Sequence, residues 1–356
     1  MNKQYWSRRI QNTEPYIPGE QPKDRRYVKL NTNENPYPPS PKVQEALQNV
    51  AISDLRLYPD PDCLQLRTAL ANQHHIAPEN VFVGNGSDEI LAFCYLAFMD
   101  ENNPAIFPDI TYSFYPVYAA LFGNNTRIVP VREDFSIPLD ELCKNDGTVV
   151  LTNPNAPTGM AVSLHVIEDI LKANPDHVVI VDEAYVDFGA ESAVPLINRY
   201  PNLLVVQTCS KSRSLAGMRI GFAFGCPDLI AALNTVKNSV NSYTLDRMAL
   251  SAAQAAVEDT VYMDDTRTRV SNTREITTGK LKNLGFTVLP SKANFVFASH
   301  DQVPGQALFQ QLRDRGVLVR YFNKPRIHEF LRITIGTPEE MDVLIHALEE
   351  ILEGYK

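Results

Sequence analysis

The stretch Leu203 to Gly225 reads LLVVQTCSKSRSLAGMRIGFAFG. Two apolar runs flank a polar link. That link holds one lysine, Lys211, among the hydroxyls of Thr208, Ser210, Ser212 and Ser214. Short runs that do not alternate with polar residues mark strands buried on both faces. The pattern recurs in VFVGNGSDE (81–89), PAIFPDITYSFY (104–115), RIVPV (127–131), TVVLTNPNAPTG (148–159) and VVIVDEAYVDF (178–188). Helical segments such as DEILAFCYLAFM (88–99) and SLHVIEDILKAN (163–174) separate most of them. The prediction is an α/β fold whose mostly parallel central sheet is covered by helices.

The flanking regions differ. The first 40 residues are rich in Pro, Asn and charge and read as an extended arm. PKVQEALQNV (41–50) and LQLRTALANQHH (64–75) have helical spacing. From about Thr266 the order changes to a helix (273–285), strands at 286–290 and 293–299, a helix ending near Gly316, and strands at 317–322 and 331–337. Thr337-Pro338-Glu339-Glu340 then reads as a capping box with proline at the first helical position. Met341, Leu344, Ile345, Leu348, Ile351 and Leu352 give the last helix one apolar stripe. The expected organisation is an arm (1–40) serving the small domain and a dimer, a large domain (41–265), and a small α+β domain (266–356).

Bulk properties exclude some classes. A net charge of −9 over 356 residues argues against nucleic acid or an anionic membrane as the main partner. No apolar run approaches a membrane span, and no signal peptide is expected at the N-terminus. Cys63, Cys94, Cys143, Cys209 and Cys226 are odd in number and form no CxxC pair, as for reduced thiols in a cytoplasm. The histidines lack metal spacing. His74-His75 reads as a solvated pair, and no metal is expected.

Ligands of open α/β sheets bind at the carboxyl ends of the strands. The informative residues sit where the runs stop. Gly84, Gly86, Ser87 and Asp88 open a helix, where free amides suit an anion; a plain turn is the alternative. Asp182 follows four β-branched residues and is either a helix cap or a charge partner for a protonated ring nitrogen. Tyr185 is either an ordinary half-buried aromatic or a hydroxyl for an oxygen on that ring. Lys211 either snorkels to water or is a buried amine with depressed basicity, and so a nucleophile. Thr208, Ser210 and Arg219 suit a phosphate. An imine-forming lysine, an acid for a ring nitrogen, a tyrosine and an asparagine for a ring oxygen, a stacking aromatic and a phosphate cup are together the parts that pyridoxal phosphate needs.

The chain resembles the class II, fold-type I pyridoxal-phosphate aminotransferases. The matching pieces are PYIPG (15–19), LNTNENP (30–36), YPD (58–60), GNGSDE (84–89), YSFY (112–115), PTG (157–159), DEAY (182–185), SK (210–211), LAGMR (215–219) and LRITIG (331–336). The resemblance implies that Lys211 bonds the cofactor as an imine, Asp182 pairs the pyridinium nitrogen, and Tyr185 bonds the phenolic oxygen. It implies that Tyr112 stacks on the ring, and that Gly86, Ser87 and Asp88 hold the phosphate with Ser210 and Arg219. Tyr58 would reach the phosphate from a second subunit, implying a homodimer with shared sites. Arg332 and Arg320 would hold the acid group of the substrate, with Tyr16 and Asn33 lining or closing the pocket. On strand periodicity alone, Arg332 faces away from Leu331, Ile333 and Ile335, which is more often toward solvent.

Two departures stand out. Ala156 occupies the position where the family carries asparagine before Pro-Thr-Gly, and Asn155 is the residue expected to replace it. Arg213 lies near the lysine, facing either the phosphate or solvent. The implied activity is ping-pong transfer of an amino group between glutamate or 2-oxoglutarate and an amino or oxo compound carrying phosphate. Alternatives on the same fold are an aromatic amino-acid aminotransferase and a threonine-phosphate-type decarboxylase. A Ser210-Lys211 hydrolase is disfavoured because adjacent strand residues point to opposite faces. A non-catalytic binding protein has no need of an imine-forming lysine.

Overall fold

The computed structural model describes residues 3–355. Strands are numbered in chain order. β1 is Val28–Lys29, β2 Val81–Gly84, β3 Ala105–Pro108, β4 Thr126–Val129, β5 Thr148–Thr152 and β6 Val179–Asp182. β7 is Leu203–Thr208, β8 Gly221–Gly225, β9 Phe286–Val288 and β10 Phe295–His300. β11 is Val317–Leu318, β12 Arg320–Tyr321 and β13 Phe330–Thr334.

Seven strands form one sheet in the order β2-β8-β7-β6-β5-β3-β4. β8 runs antiparallel to both its neighbours, and the other pairs are parallel. Both faces are buried, and the side chains alternate between them with the period of a strand. Val149, Leu151, Val179, Val181, Leu203 and Val205 pack into one core. Val150, Ile180, Leu204 and Val206 pack into the other. One core takes helix Leu164–Ala173 and the other helix Gly86–Ala97. The expected mostly parallel sheet, covered on both faces, is what forms.

A second, antiparallel sheet has the order β12-β13-β10-β9. Helices Gly305–Asp314 and Pro338–Glu353 pack on it through Leu308, Leu312, Leu344 and Leu348. The capping box at Thr337 is present, with both reciprocal bonds made. The single strand expected at 317–322 is divided. Val317–Leu318 pairs with β1 of the arm, while Arg320–Tyr321 pairs with β13. The arm is thereby tied to the small sheet. It also holds a short helix, Arg8–Gln11, which its composition did not suggest. The expected division at 265/266 falls within one helix, Thr260–Asn283.

Parallel strands end on the same side. β2, β3, β5, β6 and β7 therefore deliver Gly84, Pro108, Thr152, Asp182 and Thr208 to one edge. Because β8 is antiparallel, it begins at that edge, and Gly221 lies between Gly84 and Thr208.

Candidate active site

At that edge lies a cavity of about 280 Å³ lined by residues of both sheets and of the arm. Its floor is the start of helix Gly86–Ala97. Gly86 has φ +77°, and a Cβ on it would sit 2.6 Å from Nη2 of Arg219. A Cβ on Gly221 would sit 2.5 Å from the amide nitrogen of Ser87. Two glycines thus allow strand, helix and arginine to close together. The first amides of the helix are left without helical partners and face the cavity, the arrangement that binds anions. Thr208 Oγ1 donates to Ser210 Oγ over 3.0 Å, and Arg219 Nη1 donates to the same hydroxyl over 3.5 Å. Ser210 is therefore engaged by the anion cup and not by Lys211.

Asp88 has a role that the sequence did not suggest. Its carboxylate accepts from Arg219 Nη2 over 2.9 Å and from the Tyr112 hydroxyl over 2.8 Å. Tyr112 is thus fixed at the rim of the cup, and burial together with Asp88 raises its pKa well above the ordinary tyrosine value.

Asp182 ends β6 and is 3% exposed. Burial pushes its pKa up to about 6, against hydrogen bonds from Tyr115 and the amide of Ala184 that favour the charged form. The Tyr115 hydroxyl donates over 2.9 Å and also shares a 2.7 Å bond with Thr152 Oγ1. Among the described residues no basic side chain forms an ion pair with Asp182. A buried carboxylate held by neutral donors and open to a cavity suits a cationic N–H on a ligand.

Lys211 lines the same cavity. Its Nζ is 3.4 Å from the carbonyl oxygen of Thr32 and 5.7 Å from the centre of the Tyr185 ring. Burial first, then Arg332, lower its pKa to about 8, while Asp88 and Glu34 act in the other direction. An amine in that range carries a substantial neutral fraction near neutrality and is a competent nucleophile. The Tyr185 hydroxyl accepts from Asn33 Nδ2 over 2.9 Å, and Asn33 Oδ1 in turn accepts from Thr334 Oγ1 over 3.0 Å.

The two arginines expected to hold an acid group are direct cross-strand partners, Arg320 on β12 facing Arg332 on β13. Like charges in that relationship destabilise a sheet. Among the described residues no carboxylate pairs with either. Arg332 Nη2 donates to Asn31 O over 3.0 Å, Arg320 Nη2 donates to Ile17 O over 3.0 Å, and Nε of Arg332 is buried without a partner. Burial lowers the pKa of Arg332. Tyr16, stacked on Phe114 at 4.2 Å, completes this end of the cavity.

Three expectations, those for Asn155, Arg213 and His74, do not match the geometry. Asn155 does not line the cavity. Its amide donates to Ile110 O over 3.1 Å and Thr158 Oγ1 over 2.9 Å, and Ala156 lines the wall instead. Tyr58, expected at the site of a second subunit, lies outside the cavity of its own chain, 77% exposed and stacked on Tyr243 at 4.5 Å. Arg213 faces neither the phosphate cup nor solvent; it is buried behind the lysine loop beside Asp187. His74 is not a solvated histidine. It shares the sheet-facing side of its helix with Leu70 and packs edge-on to Phe224, and burial lowers its pKa to about 4.

Tyr115, Thr152 and Glu34 line or support the site and were not singled out. A signal for Tyr115 existed: three residues after Tyr112 at a helix start is the spacing that places two side chains on one face.

Pyridoxal phosphate fits this donor set: an anion cup, a buried carboxylate lacking a cation, a neutralisable amine and a tyrosine hydroxyl held by an amide. The fold and site thus define a pyridoxal-phosphate-dependent aminotransferase. The chain belongs to the aminotransferase class I and II family, which matches residues 25–348. It is 53% identical over 350 residues to the histidinol-phosphate aminotransferase of Clostridium beijerinckii, covering 98% of each chain. It is 56% identical over 349 residues to the same enzyme of Acinetobacter baumannii, covering 97% of each. The crystal structure of histidinol-phosphate aminotransferase from Sinorhizobium meliloti in complex with pyridoxal-5'-phosphate matches with a TM-score of 0.90 at 25% identity, over 99% of each chain. The family, fold and cofactor expected from the sequence agree with these findings. Among the described residues no helix is long and apolar enough to cross a membrane.

Proposed function

We propose that this chain interconverts histidinol phosphate and imidazole-acetol phosphate, with 2-oxoglutarate and glutamate as the second pair, in histidine biosynthesis. The observation that carries the reading is the unneutralised pair Arg320 and Arg332 in the lining of the cavity. It suits a phosphate in one half-reaction and a carboxylate in the other, because guanidinium binds both by the same fork. The names of the relatives at 53% and 56% identity supply the particular substrate.

Bound, the cofactor supplies an electron sink beside the substrate carbon. The residues do the remainder. The backbone amides of Ser87 and Asp88, with Ser210 and Arg219, would hold the phosphate at the helix start. Asp182 keeps a proton on the ring nitrogen, and Tyr185 with Asn33 orients the ring oxygen. Lys211 Nζ would be the covalent anchor and, when free, the group that moves a proton to and from the carbon bearing the substrate amine. We assign the arm and residues 266–356 to a small domain and residues 41–265 to a large one. We further assign a cytoplasmic homodimer in which Tyr58 reaches the site of the partner subunit.

The test is reduction with borohydride followed by peptide mass mapping, together with a panel of histidinol phosphate, phenylalanine and tyrosine against 2-oxoglutarate. The cofactor mass is expected on Lys211, with histidinol phosphate the preferred donor. Release of carbon dioxide in place of an oxo product, or a preference for phenylalanine, overturns the substrate assignment.

A further inference from the structure

Arg213 follows the reactive lysine by two positions, and its side chain is 2% exposed. Burying a guanidinium away from water is costly unless it is paired and hydrogen-bonded. Its Nη1 lies 3.6 Å from Oδ2 of Asp187 and 3.5 Å from Ser212 Oγ, and its Nη2 donates to Gln73 Oε1 over 3.2 Å. The guanidinium sits 5.7 Å from the centre of the Phe222 ring. Among the described residues Asp187 is the one carboxylate within ion-pair distance of it.

Asp187 lies in the turn Val186–Phe188, directly after Tyr185. Its Oδ2 also accepts from the hydroxyl of Ser212, the residue after Lys211. One carboxylate oxygen therefore joins the segment carrying Tyr185 to the segment carrying Lys211. Asn35 adds a strap from the arm, its amide donating to the carbonyl oxygens of Lys211 over 3.1 Å and Ser212 over 3.3 Å. The amide of Leu215 closes the loop on Cys209 O over 3.0 Å.

We propose that Arg213 and Asp187 form a clamp behind the active site that positions Lys211 against Tyr185, which makes Arg213 a positioning residue. The proposal rests on Lys211 being the reactive amine. The charged groups facing that amine are Arg332, Arg219, Asp88 and Glu34. On its other side Arg213 faces His74 and Cys209. Burial holds the imidazole at about 4 and the thiol at about 11, so both are neutral near pH 7. The clamp thus acts on Lys211 by fixing its loop.

Charge and geometry predict opposite signs when Asp187 is changed to Asn. Removing a carboxylate and leaving Arg213 bare lowers the basicity of a nearby amine. Loosening the loop lets the amine reach water and raises it. The measurement is the pH dependence of Lys211 acetylation in the cofactor-free protein, read by mass spectrometry, with circular dichroism to verify folding. Asp187→Asn is expected to raise the titration by about one unit, since water access relieves the desolvation that depresses it. Ser212→Ala, which alters no charge, is expected to move it the same way by less. Arg213→Lys keeps the cation but loses the fork, and in the holoenzyme kcat is expected to fall about tenfold with KM within about twofold. A Lys211 titration unchanged or lowered in folded Asp187→Asn overturns the clamp. If that variant does not fold, an unmoved titration in Ser212→Ala overturns it. Cofactor attachment in the wild-type protein, read separately by borohydride reduction, keeps failure of the clamp distinct from failure of the lysine assignment.

Discussion

The Tyr115 hydroxyl donates to Oδ2 of Asp182 over 2.9 Å, from inside the core. It is the strongest of the bonds favouring the charged form of that carboxylate. Replacing Tyr115 with Phe leaves Asp182 with the Ala184 amide at 3.2 Å and moves its titration further up. A hydrogen bond to a charged group contributes about 1.5–3 kcal/mol. We therefore expect cofactor affinity in Tyr115→Phe to fall about tenfold or more, measured by fluorescence titration of the cofactor-free protein. Unchanged affinity would show that Asp182 needs no support from the core.

Asp182 itself makes the cofactor-free protein sensitive to pH. Its pKa is about 6 in the fold against an ordinary value of 3.8. The folded state thus binds the extra proton between those values. The associated stability is fully present below about 3.8 and lost as pH rises through about 6. Asp182→Asn removes this dependence. In the cofactor-free state the variant is expected to equal the wild type near pH 4 and to exceed it near pH 7 by up to about 3 kcal/mol. In the holoenzyme the order should reverse, because the ring nitrogen loses its partner. Denaturant melts at the two pH values, with and without pyridoxal phosphate, check both signs.

Lys211 gives the opposite pH window. Its pKa is depressed from 10.5 to about 8, so the unfolded state binds the extra proton between those values. Stability from this group is present above about 10.5 and lost as pH falls through about 8. Lys211→Met should therefore stabilise the cofactor-free protein at pH 7, with the difference shrinking as pH rises from 8 toward 10. A constant difference over that range would mean that the amine is not desolvated. The same variant should lose all transaminase activity.

Much of this was readable beforehand, and the reason is topological. A parallel sheet sends every strand's carboxyl end to one edge, so residues following apolar runs had to meet. Asp182, Lys211 and Ser87 were legible on that ground. What escaped was what depends on burial in three dimensions. Tyr115 reads as a core aromatic until its hydroxyl is seen under Asp182. Arg213 reads as facing either the phosphate or solvent, because nothing local reveals that Asp187 and Gln73 surround it. Asn155 reads as a stand-in for the missing asparagine, but one residue of offset turned its amide toward Ile110. The break at Val319, which gives half of the expected strand to the arm and half to the small sheet, follows from pairing partners that periodicity does not name.

The arginine pair separates substrate from cofactor. Arg320 and Arg332 sit in the small sheet, while the phosphate cup belongs to the large one. Arg320→Met should therefore raise KM for both the phosphate-bearing donor and 2-oxoglutarate. Loss of one charge-assisted contact corresponds to about tenfold or more. It should also relieve the repulsion across the strand pair, giving a small gain in melting temperature. Cofactor affinity is expected to stay within about twofold. A large loss of cofactor with unchanged KM would place these arginines in the wrong role.

Tyr58 provides a test of the shared site that no single-chain measurement can mimic. It is exposed, held by Tyr243 and by Arg247, whose Nη2 donates to the Tyr58 carbonyl over 3.3 Å. That hold orients the ring outward and away from its own cavity. If it completes the site of the partner subunit, Tyr58→Ala and Lys211→Ala should each be inactive or nearly so as pure dimers. In a mixed dimer, the subunit with Tyr58→Ala keeps Lys211 and receives Tyr58 from the Lys211→Ala subunit. One of its two sites is then intact. Random reassociation of equal amounts makes half the dimers mixed, so about a quarter of wild-type activity is expected. Recovery near zero, with mixed dimers verified by mass spectrometry, would mean that Tyr58 does not serve the site of the partner subunit; full activity of the pure Tyr58→Ala dimer would leave it without a role in the site.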